Sequence, residues 1–301
     1  MRSFTKMFLG LVLTMLAVLS CSTNQAPPTI ATATLSPTET ASPPNQTQGL
    51  QVLLANSRNL VGENRFPVGV IRDGKSVQNA QVQLKFFDIN GNDPVLKNES
   101  DAPFYGDNLG AAGVYVGRAT FDTLGQWGVE VTVNQEGFPT EAKRIALTIL
   151  DQDPSPAVGT QALRTKIQTL NDVNGDRTKI CSALEDDREL HRLSIDEAVT
   201  NGKPTVILFA TPRFCHTRTC GPNLQVVQSI AQNYSDRVNF IHVEVYKNFE
   251  TFEEADAMRE WNFETEPWLI FVDANGKIVR KYEGGITSKE IVPDFLKFIG
   301  G

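Results

Sequence analysis

The chain has 301 residues, with 28 Lys plus Arg against 35 Asp plus Glu, 41% hydrophobic and 21% charged side chains, 4 Cys and 3 His. At roughly 150 residues per domain this length suggests two modest folded units, and the balance excludes a wholly disordered chain, a collagen-like repeat and a small disulfide-dense scaffold. A net charge of −7 argues against non-specific binding to nucleic acid, which needs a cationic surface, and four Cys with three His leave little material for a dedicated zinc site.

Arg2 and Lys6 precede an uncharged apolar run of thirteen residues, Met7 to Leu19. That is the layout of a secretory signal, and it is too short to span a bilayer comfortably, which takes about 20 residues. The run ends Val18-Leu19-Ser20-Cys21 and resembles the bacterial lipobox, although Leu19 is a less usual middle residue. The resemblance implies that residues 1–20 are a signal peptide and that Cys21 carries a lipid. The chain would then be an extracytoplasmic lipoprotein anchored to the cell membrane through Cys21. Ser22 to Gln48 holds five Pro, seven Thr and one charged residue, Glu39, with no apolar periodicity. Residues 21–48 therefore read as a tether, which at about 3.1 Å per residue reaches roughly 80 Å.

From 49 to 150 the pattern is period two between turn signals, as in Arg65 to Arg72, Ala80 to Phe87, Val114 to Phe121, Trp127 to Val133 and Ile145 to Ile149. Val82, Leu84 and Phe86 would share one face, with Gln81, Gln83 and Lys85 on the other. This predicts an antiparallel sandwich. The succession Gly113-Val114-Tyr115, Phe121, Gly125-Gln126-Trp127 looks like bacterial immunoglobulin-like modules. Two acidic stretches, from Asp88 and from Asp172, begin like calcium loops. Asp93 and Arg177 stand where the loop needs glycine, so both read as ordinary turns. Residues 151–189 form a connector, with a short helix expected from Thr160 to Leu170 and Cys181 expected as a buried apolar thiol. His191 reads as a surface residue.

Residues 190–301 read as an α/β unit. Thr205 to Ala210 is a continuous apolar run suited to a central strand, and Leu224, Val227, Ile230, Ala231 and Tyr234 recur at helical spacing. Val238 to Val245 is a second strand carrying His242, and Phe252, Ala255, Met258 and Trp261 mark a helix. Trp268 to Asp273 and Lys277 to Tyr282 flank Asn275-Gly276, a strong hairpin signal, and Ile291, Phe295 and Ile299 close with an amphipathic helix.

Phe209-Ala210-Thr211-Pro212-Arg213-Phe214-Cys215, then Cys220-Gly221-Pro222, Thr265-Glu266-Pro267-Trp268 and Asp273 to Lys277 together resemble the thioredoxin superfamily. The resemblance implies a central mixed sheet with flanking helices, a redox pair in Cys215 and Cys220, and a cis Pro267 beside them. It also implies that the backbone of Glu266 binds an extended substrate chain. The sequence departs from the family's Cys-Gly-Pro-Cys motif: Asn223 holds the second cysteine's place, and the partner lies upstream in a Cys-x4-Cys arrangement. Residues five apart on one helix point about 140° apart, so Cys215 should sit in the loop and Cys220 in the first helical turn, where Pro222 is tolerated. No Asp or Glu occurs from Ala198 to Ser235, while Arg213, His216 and Arg218 flank the sulfurs. They are the candidates for lowering a thiol pKa.

The aromatic-Cys entry favours Cys215 as nucleophile, and the Cys-Gly-Pro overlay favours Cys220. No cofactor beyond a Cys215–Cys220 disulfide is expected, and no metal. The implied partners are extracytoplasmic client proteins with thiols or disulfides, a membrane thiol reductant or oxidant, and the membrane itself, with no nucleic acid. Three other readings remain at this stage, one of them a redox-silent binding module with a structural disulfide. Some peroxiredoxins use a Cys-x4-Cys pair, but they need Thr or Ser where Pro212 stands. Sco-like copper chaperones pair two cysteines with a distant histidine, for which His242 and His216 are the candidates.

Overall fold

The period-two stretch folds into ten strands: β1 (Leu50–Leu54), β2 (Asn59–Leu60), β3 (Gly62–Arg72), β4 (Lys75–Ser76), β5 (Ala80–Asp88), β6 (Val95–Asp101), β7 (Phe104–Tyr105), β8 (Val114–Phe121), β9 (Gly125–Gln135) and β10 (Glu141–Leu150). The structure is a computed structural model that describes residues 49–300. The segments expected to be a signal peptide, a lipid-bearing Cys21 and a tether lie outside the described residues. One sheet runs β1-β3-β8-β7 with β4 on β3, the other β2-β10-β9-β5-β6. All pairs are antiparallel except β2 with β10.

The two sheets make a β-sandwich. Val82, Leu84 and Phe86 point inward as predicted, and Gln81 and Gln83 face water. Phe66, Phe86, Phe121 and Trp127 form an edge-to-face chain across the core, with centroids 4.9, 5.7 and 4.9 Å apart, the geometry that aromatic quadrupoles favour. Both acidic stretches are turns: Asp88 accepts the Asn90 N–H at 2.8 Å and Asp172 the Thr169 N–H at 2.8 Å.

The remaining elements are α1 (Ile195–Ala198), β11 (Thr205–Ala210), α2 (Cys220–Tyr234), β12 (Asn239–Glu244), β13 (Tyr246–Asn248), β14 (Glu253–Glu254), α3 (Asp256–Glu260), β15 (Trp268–Val272), β16 (Ile278–Glu283) and α4 (Ser288–Gly300). The order β12-β11-β15-β16, with β11 and β12 parallel and the other pairs antiparallel, is a mixed sheet. β11 is buried on both faces. Val206, Leu208 and Ala210 join Leu224, Val227, Ile291 and Phe295, from α2 and α4. Ile207 and Phe209 join Ile195, Met258 and Trp261 on the opposite face.

The helix expected from Thr160 to Leu170 does not form. Ala162 donates its N–H to Gly276 O, Ile278 donates to Thr160 O, and Leu170 donates to His191 O. These tertiary partners satisfy the backbone, and a short helix without packing has little stability of its own to set against them. The connector instead packs along the sheet, adding Ala162 to one core and Cys181 and Ala183 to the other. His191 is buried, not on the surface.

The sandwich is bolted to the mixed sheet. Arg65 of β3 clasps both carboxylate oxygens of Glu290 on α4 at 2.6 and 2.9 Å and also donates to the carbonyls of Glu283 and Gly285. No helix among the described residues is long and apolar enough to cross a membrane.

Candidate functional site

β11 delivers the chain into residues 211–219, and α2 opens at Cys220. Cys215 lies in that loop and is partly exposed, whereas Cys220 is fully buried in the first turn. The two form a disulfide with Cα atoms 5.9 Å apart. Pro222 sits in the opening turn, where its missing N–H costs no helical bond. The Cys220 N–H donates to Cys215 Sγ at 3.2 Å, so the positive end of α2 is aimed at the exposed sulfur. The Thr217 hydroxyl lies 3.2 Å from the same sulfur and 2.8 Å from that of Thr219. Phe214 anchors the loop among Tyr246, Phe249 and Phe252.

The Glu266–Pro267 peptide bond is cis. A Glu266 carboxylate oxygen comes within 4.8 Å of both sulfurs and faces the backbone N–H and Nδ1 of His216 at 3.3 and 3.4 Å. Sequence reasoning singled out the Glu266 backbone and missed this carboxylate, because it enters from the start of β15, outside the acid-free window. Arg213, His216 and Arg218 are exposed. Arg213 lies over the Phe214 ring at 5.7 Å. Among the described residues no cationic side chain is in hydrogen-bonding contact with either sulfur. The direct contacts are the helix N–H and Thr217.

Asn223, in the place of the motif's second cysteine, is fully buried. Its Nδ2 donates to Gly284 O at 2.9 Å and its Oδ1 accepts the Ile286 N–H at 3.0 Å. A groove of about 420 Å³ runs beside the disulfide, walled by Leu54, Ala55 and Val70 of the sandwich and by Thr217, Thr219 and Glu266.

The family described as thioredoxin-like domain matches residues 192–299. Residues 192–299 are a thioredoxin-like domain. The pneumococcal exposed lipoprotein thioredoxin from Streptococcus pneumoniae strain TIGR4 is a similar solved structure, 17% identical over 32% of this chain and 85% of that one, with a TM-score of 0.25. A DUF4426 family protein from Pseudomonas aeruginosa PAO1 is 14% identical over 35% of this chain and 91% of that one, TM-score 0.26. Murine CRIg is 12% identical over 34% and 99%, TM-score 0.23. A search of curated proteins finds no match.

Within the thioredoxin-like domain, β12 does not bring His242 to the disulfide. His242 instead meets Cys181 and Asp187 of the connector and His191 just after it, and all four are buried. Cys181 is thus buried, but its surroundings are polar. Burial opposes charge on every member of this group, and the contacts among them outweigh it. Hydrogen bonds from His191 and His242 bring the Cys181 thiol below its usual value despite burial. The same two histidines hold the Asp187 carboxyl far below its range. Asp187 and Cys181 in turn raise both imidazoles against their burial. Sequence reasoning missed the cluster because Cys181 and His242 are far apart in the chain. The available signal was Asp187 and His191, four apart and six to ten residues after a cysteine.

Proposed function

We propose that the chain is an extracytoplasmic, lipid-anchored thiol–disulfide oxidoreductase that exchanges electrons with protein clients through Cys215 and Cys220. The observation that carries this reading is the Cys215–Cys220 disulfide, with one sulfur partly exposed at the start of α2 and the cis Glu266–Pro267 bond beside it. In the reducing direction the Cys215 thiolate attacks one sulfur of a client disulfide. A mixed disulfide forms and the client's other sulfur leaves as thiolate. Cys220, losing its proton, then attacks Cys215 Sγ and releases the second client thiolate. Two electrons pass to the client and the Cys215–Cys220 bond closes. The reverse sequence oxidises a client dithiol.

In this reading Cys215 is the nucleophile and Cys220 the resolving residue. Exposure favours that assignment, as does the Cys220 N–H on Cys215 Sγ, a contact that stabilises a thiolate. The backbone of Glu266 and the groove beside it would hold the client chain in extended form. Lipid on Cys21 would keep the site near the membrane, where a membrane thiol reductant or oxidant resets the pair. Arg213, His216 and Arg218 would add a cationic surround.

The test is insulin-disulfide reduction, peroxide turnover and Cu(I) binding by the chain from Gln46 onward, the compact unit, as wild type, Cys215→Ser and Cys220→Ser. Insulin reduction by wild type and its loss by about 10³-fold or more in both variants is expected, since each lacks one of two obligatory sulfurs. Peroxide turnover or Cu(I) binding without insulin activity would overturn the reading.

A further inference from the structure

We propose that Cys181, Asp187, His191 and His242 bind one zinc-like divalent metal ion, at a site separate from the disulfide. One donor atom from each lies within 4.8 Å of all the others, and all four residues are buried. The direction of the His242 ring decides what the cluster can hold. Its Nε2 is 3.0 Å from Ala210 O, an atom that only accepts, so Nε2 carries a hydrogen. Nδ1 is therefore turned inward, 2.7 Å from Asp187 Oδ2 and 3.6 Å from Cys181 Sγ. Nδ1 therefore faces Asp187 Oδ2 across a single positive centre, its own proton in the metal-free protein or a metal ion that replaces it, since two bare lone pairs at that distance would repel. His191 Nε2 reaches the same Oδ2 at 3.0 Å. The Cys181 thiol donates to Oδ2 at 3.2 Å and its Sγ accepts the Ala183 N–H at 3.3 Å, a contact that would remain to support a thiolate once the proton is displaced.

Metal–ligand bonds of about 2.0–2.3 Å place tetrahedral donors about 3.3–3.8 Å apart. The two sulfur edges lie close to that already, and the nitrogen–oxygen edges need to open by a few tenths of an ångström when their hydrogens leave. The outer partners are in place. Ala210 O fixes the His242 tautomer, and Arg177 holds Asp187 Oδ1 at 3.0 Å, leaving Oδ2 for the ion. One thiolate and one carboxylate neutralise a divalent charge in a buried setting, where an unbalanced charge is costly. The mixed sulfur, nitrogen and oxygen set suits zinc better than hard cations, which take oxygen alone. A cleft of about 430 Å³ bordered by His191, His242, Lys179, Glu244 and Glu253 gives an ion access. Binding displaces the Cys181 thiol proton, the His242 Nδ1 proton and the hydrogen on His191 Nε2, the last leaving to solvent or moving to Nδ1 of the same ring. With four protein ligands the ion is structural, pinning the connector to β12.

The experiment uses the purified full chain carrying Cys21→Ser, with the Cys215–Cys220 disulfide intact, so that Cys181 is the sole thiol. Titration with Co²⁺ should give a thiolate-to-cobalt charge-transfer band at one equivalent, displaced by Zn²⁺. Cys181→Ser should abolish the band, and His191→Gln should weaken Zn²⁺ affinity at least about 100-fold while leaving the near-ultraviolet circular dichroism of the metal-free protein unchanged. Absence of the band in the disulfide-intact parent overturns the proposal and marks the cluster as a hydrogen-bonded network with His242 doubly protonated. So does a Zn²⁺ affinity that survives both substitutions. If Cys181→Ser does not fold, the parent titration and His191→Gln decide alone.

Discussion

Cys215 and Cys220 share a bond but not an environment, and the difference governs which sulfur reacts once the bond opens. Cys215 is partly exposed and accepts the helix N–H, while Cys220 is sealed beneath it. The opposing influence is Glu266, whose carboxylate comes within 4.8 Å of both sulfurs and disfavours a second negative charge there. Glu266→Gln should therefore move the pH midpoint for alkylation of Cys215 in the reduced protein to lower values. The check is the pH dependence of iodoacetamide alkylation of the reduced protein, with Cys215 modified before Cys220 in both forms. An unchanged or higher midpoint in the variant would show that the carboxylate acts instead as a proton acceptor held by His216.

At the scale of elements, α2 carries two jobs. Its first turn presents the disulfide, and Asn223 one residue after Pro222 ties it to the loop that follows β16. Asn223→Ala would strand the part-buried Gly284 carbonyl and the buried Ile286 N–H, costing about 2 kcal/mol in urea denaturation, within the range for unpaired backbone groups out of water. An unchanged midpoint would mean that the loop finds other partners. The strand β11, the start of α2 and the hairpin at Asn275-Gly276 were legible in the sequence because each is specified locally, by an apolar run, by Pro222 in an opening turn, and by a left-handed glycine at φ 78°. The inward face of β5 was legible for the same reason. β6 was not: its side chains are largely exposed, and it exists because its backbone pairs with β5. The absent helix at Thr160 to Leu170 and the buried position of His191 share that cause, since distant segments supply their partners. The redox loop was visible as a motif, but Glu266 and the Cys181 cluster come together only through tertiary packing.

Across the whole molecule, ion pairs with little exposure join the sandwich, the connector and the mixed sheet. Asp153 of the connector meets Arg58, just before β2, at 3.3 Å and Lys281 of β16 at 2.5 Å, with side chains only 7–9% exposed. Burial alone would raise the Asp153 carboxyl, but Lys281 and Ser155 hold it below its usual value. Burial lowers the Lys281 ammonium, with Asp153 opposing it, Arg58 reinforcing it and Glu283 nearby. Replacing Asp153 with Asn leaves two cations facing each other with only the more distant Glu283 as counter-charge, a change that costs about 3 kcal/mol for a pair of this kind. The pH dependence follows from the direction of the carboxyl shift. A carboxyl whose folded pKa lies below its unfolded value contributes stability that is complete above the unfolded value, about 3.9, and is lost as pH falls through the folded one. The stability difference between wild type and Asp153→Asn should thus be constant from pH 7 to about pH 5 and shrink below about pH 4. Urea denaturation at each pH measures it. A difference that persists undiminished at the lowest pH at which both proteins remain folded would show that Asp153 holds the two halves together by packing rather than by charge.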